Sequence, residues 1–158
     1  MSAEDASPAL GLISYGMYVI GSKNGDEVNG MTANWLTQVS FDPRMVALAV
    51  ENDARTLRNI KADRVFSVNV IRSDGLHLIE KFVQPQERVG NKLGDVEFFT
   101  ATTGAPILRE ALAWFECRVV NLVEAGDHTL VVGEVVDGGT LSEGDPLTLR
   151  DLGWEYGG

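Results

Sequence analysis

Between Asn29 and Val46 the chain reads Asn-Gly-Met-Thr-Ala-Asn-Trp-Leu-Thr-Gln-Val-Ser-Phe-Asp-Pro-Arg-Met-Val. Its small and hydroxylated members suit a close approach to a flat ligand. Thr32, Ala33, Asn34 and Thr37 let backbone come near a planar ring, while their amides and hydroxyls meet its polar edge. An ordinary strand would be more uniformly branched and apolar. The alternative is a half-buried strand whose small residues pack against a neighbour.

Downstream, Asn52-Asp53-Ala54-Arg55-Thr56 delivers polar groups onto a predicted helix start, where unpaired amides and the positive end of the helix dipole favour an anion. Arg55 can add bidentate contact to a phosphate. Taken alone, the same turn is also an ordinary capped helix with a solvated arginine. Of the two histidines, His128 follows Gly126-Asp127 at a predicted strand start, and His77 reads as a surface residue.

Other chemistries lack their residues. One cysteine and two histidines give no zinc or iron–sulfur ligand set, and no Cys-x-x-Cys knuckle is present. Neither a Gly-x-Gly-x-x-Gly turn after a strand, nor a phosphate loop of the Gly-x-x-x-x-Gly-Lys type, nor a Gly-x-Ser-x-Gly elbow occurs. Cys117 lies in an apolar, strand-like run and reads as a packed core thiol.

The elements that must position these residues are mostly strands. Leu12 to Ile20, a turn over Gly21–Glu27 and a run resuming at Val28 predict a hairpin. Asp42-Pro43 breaks the next strand, and Met45–Val50 predicts a buried one. A short helix is expected over Ala54–Ala62 with Asn52 or Asp53 as cap. A period-two strand over Val65–Ile71, a helix from Leu76 to Val83 and a polar, mobile loop from Gln84 to Asp95 follow. Leu112–Val123 and Thr129–Val136 predict a second hairpin. Strands outnumber helices and the two do not alternate as βαβ units, which predicts a closed antiparallel barrel with peripheral helices. Periodicity does not separate a split barrel from another small barrel.

A chain of 158 residues fits one domain with a real core. Its formal net charge of −10 and pI near 4.5 argue against nucleic acid or an anionic membrane as partner. Any anionic ligand then needs a local basic pocket, for which Arg55, Arg58, Lys61, Arg88 and Lys92 are candidates. The polar, acidic first residues resemble no export signal, and no run has the length of a membrane span, so cytoplasm is the expected compartment.

Gly30-Met31-Thr32-Ala33-Asn34-Trp35, Val39-Ser40-Phe41-Asp42-Pro43, Asn52-Asp53-Ala54-Arg55-Thr56 and Gly126-Asp127-His128 resemble, in order and spacing, the flavin reductase-like family of FMN-binding split barrels. The Asn-Trp-Leu-Thr-Gln version is most similar to the flavoredoxin and ferric reductase branch and to the flavin module of high-molecular-weight rubredoxins. The resemblance implies a mainly β, FMN-binding split barrel spanning residues 1–158 as one domain. It implies cofactor contacts from Thr32, Ala33, Asn34 and Trp35 to the ring edge, with Thr37 and Gln38 nearby. Phosphate contacts would come from Asn52, Arg55 and Thr56. Lys92 resembles a family cation that reaches the phosphate or ribityl chain, although a solvated lysine fits its loop equally. His128 would face flavin and nicotinamide as the catalytic residue, and no metal is implied.

The implied activity is electron transfer from NAD(P)H through FMN to free flavin, a ferric complex or a redox partner, in a homodimer. The rival is an FMN-binding electron carrier reduced by a partner protein, without direct NAD(P)H oxidation. Trp154 and Tyr156 could fold over bound flavin, reach a partner subunit, or pack in a groove.

Overall fold

The computed structural model describes residues 1–158. Val19 and Ile20 are sequence neighbours and both fully buried, so the strand carrying them is packed on both faces. After the short helix α1 (Ser7–Leu10), that strand, β1 (Tyr18–Asn24), pairs antiparallel with β2 (Glu27–Ala33). The turn is therefore shorter than expected over Gly21–Glu27, and strand does not begin at Leu12. Ser22, a turn-type residue, is fully buried and accepts a hydrogen bond from Asn59, which keeps residues 21–23 in the ladder.

β3 (Leu36–Phe41) and β4 (Arg44–Glu51) follow, joined through a cis Asp42-Pro43 bond. The helix α2 (Arg55–Asp63) has Ala54 as its N-cap and no side-chain cap. The expected capping by Asn52 or Asp53 does not occur. Instead the Asn52 amide donates to Gly126 O at 3.0 Å, and its oxygen accepts from Thr129 Oγ1 at 2.8 Å.

Beyond α2 lie β5 (Val65–Val70), α3 (Leu76–Lys81) and a small sheet of β6 (Arg88–Val89), β7 (Lys92–Leu93), β8 (Val96–Phe99) and β9 (Ile107–Leu108). β5 is buried at nearly every position instead of at alternate ones, because it lies mid-sheet with packing on both faces. The loop expected over Gln84–Asp95 is a hairpin, anchored by the fully buried Leu93. The long hairpin of β10 (Ala113–Ala125) and β11 (His128–Thr140) runs closer to its turn than predicted and β11 extends past Val136, while β10 begins one residue after Leu112; α4 (Leu149–Leu152) follows.

The seven-stranded sheet has the order β2-β1-β5-β10-β11-β4-β3. Its two edge strands are consecutive in the chain, joined only by Asn34 and Trp35. Laid flat, seven strands would separate those edges by roughly 29 Å, six spacings of about 4.8 Å. Three Cα steps allow at most about 11 Å. The sheet must roll, and it does so without pairing β2 to β3: it forms a split barrel and not the closed one expected from strand count.

Ile20, Leu48, Val50, Phe66, Val68, Cys117 and Val131 fill one face of the roll. Leu57 and Ile60 of α2 join them, and α2 touches β1, β2 and β4, strands from both ends of the sheet. Burial pushes the Cys117 thiol up to about 12, in keeping with a core residue. The other face of β1 packs Val19 against Ile79, Phe82, Leu93 and Leu108. No helix is long and apolar enough to cross a membrane.

Candidate functional site

The seam between β2 and β3 opens a cleft of about 450 Å³. Thr32, Ala33, Asn34 and Trp35 form one wall, Ala49 to Glu51 of β4 another, and Phe82, Val83 and His128 complete the interior. Residues 154–156 lie across it. Gly30 is what lets Phe82 settle there: a Cβ on this residue would lie 2.7 Å from Phe82 Cδ1, inside any normal contact. Thr32 fixes the adjoining turn, since its N–H donates to Phe82 O at 3.1 Å and its hydroxyl to Ile79 O at 2.7 Å. The hydroxyl hydrogen is therefore spent on the fold, and Thr32 offers a ligand only lone pairs.

Asn34 Nδ2 and Trp35 Nε1 are the two buried side-chain polar atoms without a hydrogen-bond partner in the molecule. Both belong to the two-residue link across the seam. Two orphaned donors in one mostly apolar cleft are what a planar ligand with an acceptor-rich edge would satisfy. The residues present thus fit a flavin ring: apolar walls, an aromatic neighbour and two unpaired donors on lining residues.

His128 is buried against the Trp35 indole, with ring centroids 4.7 Å apart. Its Nδ1 meets Asp127 Oδ1 at 2.6 Å, and that contact holds the Asp127 carboxyl below the usual carboxylate range. An ionised carboxylate only accepts, so Nδ1 carries the hydrogen and Nε2 is left for a ligand. The pairing of neighbours Asp127 and His128 thus sets the ring's orientation.

The remaining predicted residues divide. Arg55 opens α2, where the helix start has no side-chain cap, and its guanidinium stands 3.6 Å from Glu27 in an exposed pair. Thr56 is buried, its Oγ1 accepting from Asn29 Nδ2 at 3.2 Å. Asn52 ties the turn before α2 to the β10–β11 hairpin and to the residue before His128. Asn29, beside Thr56, precedes Thr32 on β2 by three residues, or roughly 10 Å of strand. That is the scale of a ribityl chain with its phosphate. Lys92 is exposed on β7 opposite Glu97, outside the cleft. Thr37 and Gln38 are not brought to the cleft either: they line a second, apolar hollow with Tyr18, Met45 and Phe115.

Glu51 and Phe82 belong to the site without having been singled out from sequence. The signal for Glu51 was its acid at the end of the apolar Met45–Val50 run, directly before the Asn52 motif. Phe82 carried none, because an aromatic after an apolar helix reads as core.

The family model described as "Flavin reductase like domain" matches residues 10–155. The high molecular weight rubredoxin of Moorella thermoacetica is 32% identical over 142 residues, covering 89% of this chain and 62% of that protein. The chain spans only 23–27% of the length of the diflavin flavoproteins it matches. Among solved structures, the flavin reductase PheA2 is 35% identical with a TM-score of 0.78, covering 94% of this chain and 93% of that one. The NADH:FAD oxidoreductase SgcE6 of Streptomyces globisporus C-1027 is 32% identical with a TM-score of 0.74, covering 82% and 78%.

Asn34→Ala removes an amide that bonds nothing in the ligand-free chain, so the urea midpoint should move by less than about 1 kcal/mol equivalent. A satisfied buried amide would lose about 1–3 kcal/mol on truncation. A loss in that range would show that Asn34 is bonded within the fold.

Proposed function

Because the chain belongs to the flavin reductase-like domain family, we propose that residues 1–158 form one domain that binds FMN at the seam and passes electrons from NADH or NADPH to an acceptor. The observation that carries this reading is the pair of orphaned donors, Asn34 Nδ2 and Trp35 Nε1, beside a buried histidine in an apolar cleft. Flavin supplies the two-electron chemistry when bound, accepting hydride from a reduced nicotinamide and releasing electrons onward.

The residues bind, orient and exclude water. Asn34 and Trp35 donate to the acceptor edge of the ring, and Ala33 contributes backbone at close approach. Donors there strengthen as negative charge accumulates on reduction, which raises the flavin potential. Phe82, Val83 and Val50 keep the ring dry. His128, with Nδ1 held by Asp127, uses Nε2 to orient the carboxamide or phosphate of the nicotinamide donor. Arg55 and the uncapped start of α2 take the FMN phosphate, with Asn52 and Thr56 shaping the turn; Lys92 lies outside the cleft and, as a solvated lysine, adds only longer-range positive charge.

Thr37 and Gln38 belong to the apolar hollow along β3, where Val39 and Phe41 are exposed. In this reading a second copy of the chain covers that edge, and Thr37 and Gln38 approach flavin only across the dimer. The acceptor is free flavin, a ferric complex or a redox protein. The second reading is an electron-carrier module reduced by a partner protein, in keeping with the similarity to part of the diflavin flavoproteins.

Arg55→Ala should weaken FMN by about 1.5–3 kcal/mol, the range for a charge-assisted contact, and leave riboflavin nearly unaffected. Calorimetric titration of both ligands checks this, and equal losses would remove Arg55 from the phosphate site. Sedimentation at micromolar concentration should give a dimer mass. A monodisperse monomer that keeps flavin would contradict the interface. His128→Ala should slow bleaching of FMN-loaded protein by NAD(P)H in anaerobic stopped flow while largely sparing FMN affinity. Unchanged rates at all nucleotide concentrations would exclude the orienting role, and a wild type that neither nucleotide bleaches would instead select the carrier reading.

A further inference from the structure

Residues 153–158 cross the mouth of the cleft as a strap. Thr148 and Asp151 form a reciprocal capping box at the start of α4, Leu149 is buried, and Gly153 turns the chain out in the left-handed region at φ 67°. Tyr156 then packs its ring edge-on against Trp35, with centroids 5.0 Å apart. Its hydroxyl donates to Glu51 Oε1 at 3.2 Å. Burial and the nearby Glu51 carboxylate push the phenol pKa up, so the hydroxyl keeps its hydrogen. At the far end Gly158 O accepts from Ser7 Oγ at 3.2 Å.

Between these ties the strap is held lightly. Residues 154–158 make no backbone–backbone hydrogen bond and adopt no regular structure. Trp154 and Tyr156 keep 39% and 42% exposure although both line the cleft. A segment with few backbone bonds and half-exposed anchors opens at low free energy. Tyr156 also covers Trp35 without satisfying it, because the indole N–H and the Asn34 amide stay orphaned beside it.

We propose that residues 153–158 are an intramolecular gate: Tyr156 holds the stacking place beside Trp35 in the ligand-free protein and must swing out, about Gly153, before a planar ring enters. The proposal rests on the flavin reading of the cleft. Opening gives up one edge-on aromatic contact and two exposed hydrogen bonds, Tyr156 to Glu51 and Ser7 to Gly158. Ligand entry restores aromatic contact with Trp35 and adds acceptors for two buried donors, so the exchange favours the ligand once the gate is open. Glu51 thus acts as a latch, a positioning residue that acts through Tyr156.

The test is stopped-flow association of FMN and of riboflavin with the wild type, Tyr156→Ala, Tyr156→Phe and Glu51→Gln. For the wild type the observed rate should reach a plateau as ligand is raised, because gate opening becomes limiting. Tyr156→Ala should abolish the plateau and speed association roughly tenfold at high ligand, the scale of one aromatic contact plus one hydrogen bond. Tyr156→Phe removes the latch bond and Glu51→Gln weakens it, because the amide oxygen still accepts from Tyr156 but carries no charge; both keep the ring and should fall between. Rates that rise linearly and equally in all four proteins, with binding intact, overturn the gate and leave the flavin reading standing. If no form binds either flavin, the flavin reading falls and the gate with it.

Discussion

The two-residue link between β2 and β3 is the constraint on which the rest of the structure depends. Because Asn34 and Trp35 join opposite edges of one seven-stranded sheet, the sheet is forced to roll, and the roll defines the core packed inside it. The link cannot extend either strand. Ala49 N–H bonds Trp35 O at 3.0 Å, which fastens the seam to β4, yet the side-chain donors of the link are left over. Pairing β2 with β3 would engage backbone groups only and would close the space beside those side chains. Leaving the barrel split converts a closure defect into a cleft with directed donors.

Around that seam, buried polar pairs hold the elements in register. Asn29 donates to Thr56 and Asn59 to Ser22, so α2 is pinned to β2 and β1 by two amide–hydroxyl bonds. Asn69 donates to Val19 O and accepts from Leu108 N–H, joining β5, β1 and β9. Glu116, fully buried, accepts from the backbone N–H groups of Thr102 and Thr103 at 2.6 and 3.0 Å, so its carboxyl oxygens are paired with donors. These are satisfied networks, in which removing one partner leaves the other buried and unpaired. Against that background, two orphaned donors at one point of the chain stand apart from the structural polar groups.

Much of the site was legible in the sequence because its residues are contiguous. Thr32 to Trp35 are contiguous and line one cleft with His128, which only the resemblance had brought there, and β4, α2 and β5 fall close to their predicted spans. What failed was what depends on neighbours distant in sequence. The turn over Gly21–Glu27 was misjudged since the burial of Ser22 under Asn59 is invisible from local composition. The loop over Gln84–Asp95 is a hairpin because Leu93 finds the core. Thr37 and Gln38 directly follow the cleft residues in sequence, but the bend at the seam turns β3 onto another surface, which contiguity does not show. Strand count alone could not show that the edges stay unpaired.

The chain is acidic, and its cations differ in how firmly carboxylates hold them. Arg55 is paired with Glu27 at 3.6 Å, with side chains 39% and 70% exposed. Exposed pairs of this kind are worth about 0–1 kcal/mol. A phosphate carries more charge than a carboxylate and also meets the free amides of an uncapped helix, so it outcompetes Glu27 for the guanidinium. By contrast Lys23 is committed to Asp63 and Lys81 to Asp95, each pair drawn tightly together, and each holds its partner carboxyl below the usual range. The negative surface therefore does not forbid a phosphate ligand. In the proposed reading one is taken at the start of α2, where the Arg55 guanidinium is loosely held and no side chain caps the helix.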